Sequence, residues 1–150
     1  MSKVSEYWKN YVDGTWIDGG AGRIDVLNPA TGERLAQHAL ANEIDVDNAV
    51  AAARRVHLSG ELTSMRPIVR GRMVQAMGKY LIDHKDEISR VLTLEQGKPL
   101  WESQLEIEGA ALYFEYYGNQ ASTVEGRSIP LGASYMDWTE YEPFGVSGQI

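Results

Sequence analysis

The sequence predicts an α/β fold with short strands first, then about four helices, then a β-hairpin arm. Three observations carry this expectation. The first forty residues set short aromatic and β-branched runs between Gly, Asn and Pro turns. The stretch from 42 to 121 repeats apolar residues at helical spacing. Residues 135–141 alternate with the period of a strand.

Trp8 to Val12 reads as a brief aromatic strand ending in Asp13-Gly14, a strong hairpin signal. Thr15-Trp16-Ile17 is its return strand, and Asp18-Gly19-Gly20 with Gly22 makes a loose turn. Ile24 to Leu27 is a third strand, halted by Asn28-Pro29-Ala30-Thr31-Gly32-Glu33. Leu35 to Leu40 is a fourth.

A first helix is capped by Asn42, with Asp45 at its third position, and Val46, Ala49, Val50 and Ala53 form its stripe. Gly60 breaks it. A second helix begins near Ser64 or Met65 and carries Pro67 in its first turn, where the missing amide costs nothing. Val69, Met73, Ala76, Met77, Tyr80 and Leu81 are its expected buried face. Gly71 and Gly78 lower its intrinsic propensity, so packing must hold it. A third helix starts near Asp86 and sets Ile88, Val91, Leu92 and Glu95 on one side; Gly97 and Pro99 stop it. The fourth runs from Trp101 to about Ala121, with Leu105, Gly109, Leu112 and Tyr116 on one face. Arg127 to Pro130 and Tyr135 to Tyr141 are the two limbs of the hairpin arm. Glu142 to Ile150 is turn chemistry followed by the opening of a strand, so the chain is expected to be part of something longer.

A chain that is 43% hydrophobic and 23% charged is globular in composition. Its formal net charge of -7 and lack of a basic run argue against nucleic acid and against an anionic membrane. No apolar run has the length of a transmembrane span, and no apolar signal core follows Met1 to Glu6, so the cytoplasm is expected. The absence of cysteine removes disulfides, thiolate metal sites and a cysteine nucleophile from this chain.

His38, His57 and His84 lack a second histidine at metal-ligand spacing and read as ordinary histidines. Glu102, Glu106 and Glu108 read as a solvated helix face, although Glu102 and Glu106 stand one turn apart. Neither Gly19-Gly20-Ala21-Gly22 nor Gly145-Val146-Ser147-Gly148 has the pattern of a nucleotide or phosphate loop. Lys98 complements a helix dipole as well as it serves chemistry.

Six segments then change the picture. They are Tyr11-Val-Asp-Gly-Thr-Trp-Ile17, Asn28-Pro-Ala-Thr-Gly-Glu33, Leu94-Glu-Gln-Gly-Lys-Pro99, Glu115-Tyr-Tyr-Gly118, Gly126-Arg-Ser-Ile-Pro130 and Glu142-Pro-Phe-Gly-Val-Ser-Gly-Gln-Ile150. In this order and spacing they resemble the N-terminal part of the aldehyde dehydrogenase superfamily. The resemblance covers nearly the whole chain. It implies an incomplete nucleotide-binding domain over residues 1–123, an oligomerisation hairpin over 124–144, and over 145–150 the start of a strand returning to the nucleotide sheet.

It also implies an enzyme that oxidises an aldehyde to a carboxylic acid with NAD or NADP, working as a homodimer or homotetramer. The family's cysteine nucleophile and general-base glutamate lie beyond residue 150, so these 150 residues alone are expected to be inactive and to self-associate through unpaired edges. The resemblance places backbone carbonyls of a Na or K site at Val26, Leu27 and Glu95, and substrate-tunnel positions at Leu105 and Gly109. Gly109 is small where members often carry a bulkier group. Tyr141 stands where the family often has a basic residue, and Val56 to Glu61 lacks a common tryptophan. The other function class open to the sequence is a non-catalytic module that pairs with a partner chain.

Overall fold

The computed structural model describes residues 6–150. The expectation of no signal core rests mainly on residues 1–5, which lie outside the described residues. Asp13 and Gly14 take φ of 50° and 79°, as a tight loop between twisted strands requires. They join β2 (Asn10–Val12) to β3 (Thr15–Ile17), with Tyr11 opposite Trp16 and their ring centroids 4.9 Å apart.

The single strand expected over Trp8–Val12 is divided at Lys9. β1 (Tyr7–Trp8) leaves the hairpin and pairs in parallel with β5 (Arg34–Ala39), while β4 (Arg23–Leu27) pairs antiparallel on the other edge of β5. The three-stranded order is β1-β5-β4. A strand that serves two sheets must break its ladder between them. Asp18 ties the two pieces together, accepting from the Tyr7 hydroxyl at 2.7 Å and the Lys9 ammonium at 3.0 Å.

Helix α1 (Glu43–Ser59) has the expected capping box. The Asn42 side chain accepts from the Asp45 amide at 3.0 Å, and the Asp45 carboxylate accepts from the Asn42 amide at 2.9 Å. Gly20 donates a second amide to Asp45 at 2.7 Å, which docks the glycine turn on the helix start. Helix α2 (Pro67–Asp83) begins at Pro67 itself, two to three residues later than expected. The pyrrolidine ring disfavours helical backbone in the preceding residue, and Arg66 is extended with ψ of 132°. Helix α3 (Lys85–Gln96) ends at Gly97, left-handed with φ of 75°, and α4 (Leu100–Gln120) follows Pro99.

The most extensive packing between helices is α2 on α4, followed by α3 on α4. Here the expected burial is overturned. The residues of α2 that are buried are Gly71 and Gly78, not the Val69 to Leu81 stripe, of which Met77 is 53% and Tyr80 59% exposed. A Cβ on Gly71 would strike the Gly118 carbonyl oxygen, and one on Gly78 would lie 2.8 Å from the Ala111 oxygen. The two backbones therefore approach at glycines, and the large side chains of α2 stand beside the seam. Among the described residues the buried apolar set is Ala36, Ala39, Ala52, Ile107 and Ala111. Ser89 and Ser103 are fully buried; Ser103 shares a 2.8 Å hydroxyl bond with Thr93. The α1 stripe is likewise open, with Val46 and Val50 exposed.

The arm is present but short: β6 (Ser128–Ile129) pairs antiparallel with β7 (Asp137–Trp138). Residues 139–150 have neither helix nor strand, so the strand expected from Val146 does not form. A strand exists only through a ladder partner, and these residues are exposed.

Candidate functional site

The exposed apolar residues are not scattered. Met73, Ala76, Met77, Tyr80, Leu81 and Phe114 line a hollow of about 400 Å³ on one flank of the α2–α4 seam. Tyr80 also borders a second hollow of about 350 Å³, walled by His84, Ile88, Val91, Leu92 and Trp8. Trp8, Val91 and Glu95 carry on into a third of about 430 Å³, between α3 and the strands, closed by Trp16, Val26 and Leu35. The hollows adjoin through Tyr80 and through Trp8, Val91 and Glu95, and make a trough from α2 across α3 to the sheet whose lining is mainly apolar but includes Lys9, His38, His84, Glu87 and Glu95.

Local chemistry fixes its walls. The α3 periodicity puts Ile88, Val91 and Leu92 on one side, and the departure of β1 from the hairpin brings Trp8 over them. His84 stacks on Tyr80 with centroids 4.0 Å apart, and its Nδ1–H donates to the Tyr80 carbonyl at 3.0 Å. His38 Nδ1–H donates to the Ala39 carbonyl at 2.8 Å. The sequence places Trp8 and Leu35 in strands but gives neither a role in a site; the two-residue β1 is too short to show a face, and β5 shows no clear alternation.

Of the residues expected to hold a cation, Val26 and Glu95 border the same third hollow; Leu27 does not line it. Their loops touch, since a Cβ on Gly97 would come within 2.8 Å of Pro29 Cγ. The ladder between β4 and β5 shifts register at Val26/Leu27. Leu105 is 57% exposed, and Gly109 is half-buried with open space where a Cβ would stand.

Two of the acidic residues of α4 form ion pairs: Glu106 takes Lys98 at 2.7 Å and Glu108 takes Lys85 at 2.8 Å. That pairing, through its hydrogen bond first, raises the Lys85 ammonium above its usual range. Hydrogen bonds from Tyr7 and then Lys9 hold the Asp18 carboxyl below its usual value. The amides of Asn42 and then Gly20 do the same for Asp45. Each of these arrangements fastens one element to another. Among the described residues no three His, Asp or Glu gather as a metal site, and no histidine bonds a Ser or Thr hydroxyl. No helix among the described residues is long and apolar enough to cross a membrane. The chemistry offered is that of a wall and a packing face.

Three comparisons bear on this arrangement. The sequence profile of the aldehyde dehydrogenase family matches residues 16–150. The Bacillus subtilis (strain 168) protein DhaS is 37% identical over 144 residues, which is 95% of this chain and 29% of that protein. Human retinal dehydrogenase 2 is 31% identical over 148 residues, 97% of this chain and again 29% of the relative. The crystal structure of PnpE in complex with nicotinamide adenine dinucleotide superposes with a TM-score of 0.82 at 31% identity, covering 87% of this chain and 27% of that one. The chain thus spans under a third of the length of the curated relatives it matches.

Proposed function

The chain belongs to the aldehyde dehydrogenase family, and from this we propose that it serves as the N-terminal segment of an NAD(P)-dependent enzyme that oxidises an aldehyde to a carboxylic acid. The observation that carries the reading is the match over residues 16–150 against relatives of which the chain covers 29%. The balanced reaction consumes an aldehyde, water and the oxidised nicotinamide, and yields a carboxylic acid, the reduced nicotinamide and a proton. The nicotinamide accepts the hydride. The family's thiolate chemistry needs a cysteine, and this chain has none. Its own residues hold walls in place.

In this reading residues up to 123 belong to the nucleotide-binding domain, 124–144 to an arm that joins subunits, and 145–150 to the return. Leu105 and Gly109 face the substrate tunnel, where the bare Gly109 leaves room for a bulky aldehyde. The carbonyls of Val26, Leu27 and Glu95 hold a Na or K ion; the shared hollow of Val26 and Glu95 and the Gly97–Pro29 contact support this placement. The assembled enzyme is a homodimer or homotetramer of the cytoplasm.

The test is a chimera. This chain replaces the matched segment of DhaS, and aldehyde-dependent formation of reduced nicotinamide is followed by absorbance. The chimera is expected to turn over and the 150-residue chain alone is not. Turnover by the chain alone, or a folded chimera that binds neither NAD nor NADP, would overturn the proposal.

A further inference from the structure

We propose that Asp13-Gly14 is a site of spontaneous aspartate isomerisation, and that the ion pair from Arg55 to Asp13 is its guard. The inference is independent of the enzyme reading. The sequence contains two Asp-Gly pairs, Asp13-Gly14 and Asp18-Gly19. Glycine after aspartate leaves the peptide nitrogen unhindered, so both pairs are open to one reaction. The glycine nitrogen loses its proton and attacks Cγ of the neutral aspartate side chain. A C–N bond forms, and the carboxyl hydroxyl leaves as water. Water then adds to either carbonyl of the resulting succinimide ring and opens it. Opening at one carbonyl restores aspartate. Opening at the other leaves isoaspartate, whose main chain runs through Cβ. No oxidant, reductant or cofactor enters.

The fold treats the two pairs differently. Both carboxylate oxygens of Asp18 are engaged, by the Tyr7 hydroxyl at 2.7 Å and the Lys9 ammonium at 3.0 Å. Those bonds, Tyr7 first, hold the Asp18 carboxyl below its usual value, in the ionised form that resists attack. Gly19 is also packed, since a Cβ there would strike the Leu40 carbonyl. The Ala21 amide donates to the Leu40 carbonyl and the Leu40 amide to that of Gly22, each at 2.9 Å. Turning the Gly19 nitrogen onto Cγ would require this loop to break.

Asp13 has no such restraint. Gly14 has open space where a Cβ would stand, and both residues lie outside the ladder, which ends at Val12 opposite Thr15. Asp13 is the one non-glycine among the described residues at positive φ, a conformation that disfavours L residues and does not hold this one fast. A single partner holds its carboxylate: Arg55 on α1, at 2.6 Å to Oδ1. The two side chains are 61% and 60% exposed, so the pair is weak and opens often. Isoaspartate would lengthen the main chain of a two-residue loop whose length sets the strand register. It would also put the free carboxylate on a shorter stem, and the hairpin would lose this tie to α1.

The experiment warms the folded chain at neutral pH and follows isoaspartate by peptide mapping, with electron-transfer fragmentation to separate it from aspartate at each site. Isoaspartate is expected to form at Asp13 at least about tenfold faster than at Asp18, the protection a fastened loop gives. In urea, with the fold gone, the two sites should react at similar rates. Arg55→Gln should raise the Asp13 rate about threefold, as loss of an exposed ion pair does, and leave the Asp18 rate unchanged. Arg55→Lys, which keeps a cation there, should react at close to the parent rate. Helical circular dichroism of each variant separates a released side chain from a lost fold. Isoaspartate at Asp18 as fast as at Asp13 in the folded chain overturns the site. So does a preference for Asp13 that persists in urea, or formation at Asp13 in urea alone. An unchanged Asp13 rate in folded Arg55→Gln overturns the guard.

Discussion

The inner seam and the outer trough of α2 use opposite kinds of residue. At the seam Gly71 and Gly78 lie against Gly118 and Ala111 on α4, backbone to backbone. Along the trough, on the same helix, Met73, Met77 and Tyr80 stand in solvent. A self-sufficient domain buries its largest apolar side chains first, because transfer free energy grows with area. Among the described residues this chain buries mainly alanines and glycines, with Ile107, and leaves most of its large apolar residues exposed. The difference teaches that the small residues fix the relative position of the helices, while the large ones stand beside the seam and take no part in it.

The most damaging change should be Gly71→Val. Its Cβ meets the Gly118 carbonyl and, at 3.1 Å, Ala121 Cβ, so the seam must part. We expect a loss of about 3 kcal/mol in urea unfolding followed by circular dichroism. A loss below about 0.5 kcal/mol would remove the seam's claim to hold the fold. Asn42→Ala should cost about 1 kcal/mol by the same measurement, since it leaves the start of α1 without its cap; an unchanged midpoint would contradict the capping box.

The acid limb gives a smaller effect with a fixed sign. Asp45 and Asp18 have folded-state values below their ordinary 3.8. Their contribution is complete above that pH and is lost as pH falls through the lowered values. Asp45→Asn should therefore narrow the stability gap between neutral pH and pH 3, and an unchanged acid limb would count against the Asn42 and Gly20 amides as its partners. The smallest expected effect is Met77→Ala in the isolated chain, within about 0.5 kcal/mol of the parent. In the chimera the same change should cost about 2 kcal/mol or more, as for a buried methionine. Equal costs in the two settings would erase the distinction between seam and trough.

Local chemistry was legible in the sequence wherever one residue type can do a job. Asp13-Gly14 announced its hairpin, Asn42 and Asp45 their capping box, Gly97 the end of α3. Periodicity was legible too, but it marks an apolar stripe without saying what covers it. The Val69 to Leu81 stripe of α2 therefore reads as a buried face although it stands largely exposed, and Gly71 and Gly78 read as weak points when they are contact points. Lys9 gives no signal that β1 changes sheets, because that depends on the distant Gln37 and His38. The strand expected from Val146 needs a ladder partner, which no local pattern can supply. For the candidate site, Val26 and Glu95 came together in one hollow, while Leu105 and Gly109 lie outside it; resemblance located all four, and spacing alone located none.

Amide hydrogen exchange on α3, compared between the isolated chain and the chimera, addresses the exposed trough most directly. If the trough is completed by further polypeptide, amides of Ile88 to Glu95 should exchange on the order of tenfold more slowly in the chimera. Amides of the α4 residues already at the seam, Ile107 and Ala111, should change less. Equal exchange of Ile88 to Glu95 in both proteins would show that nothing covers the trough.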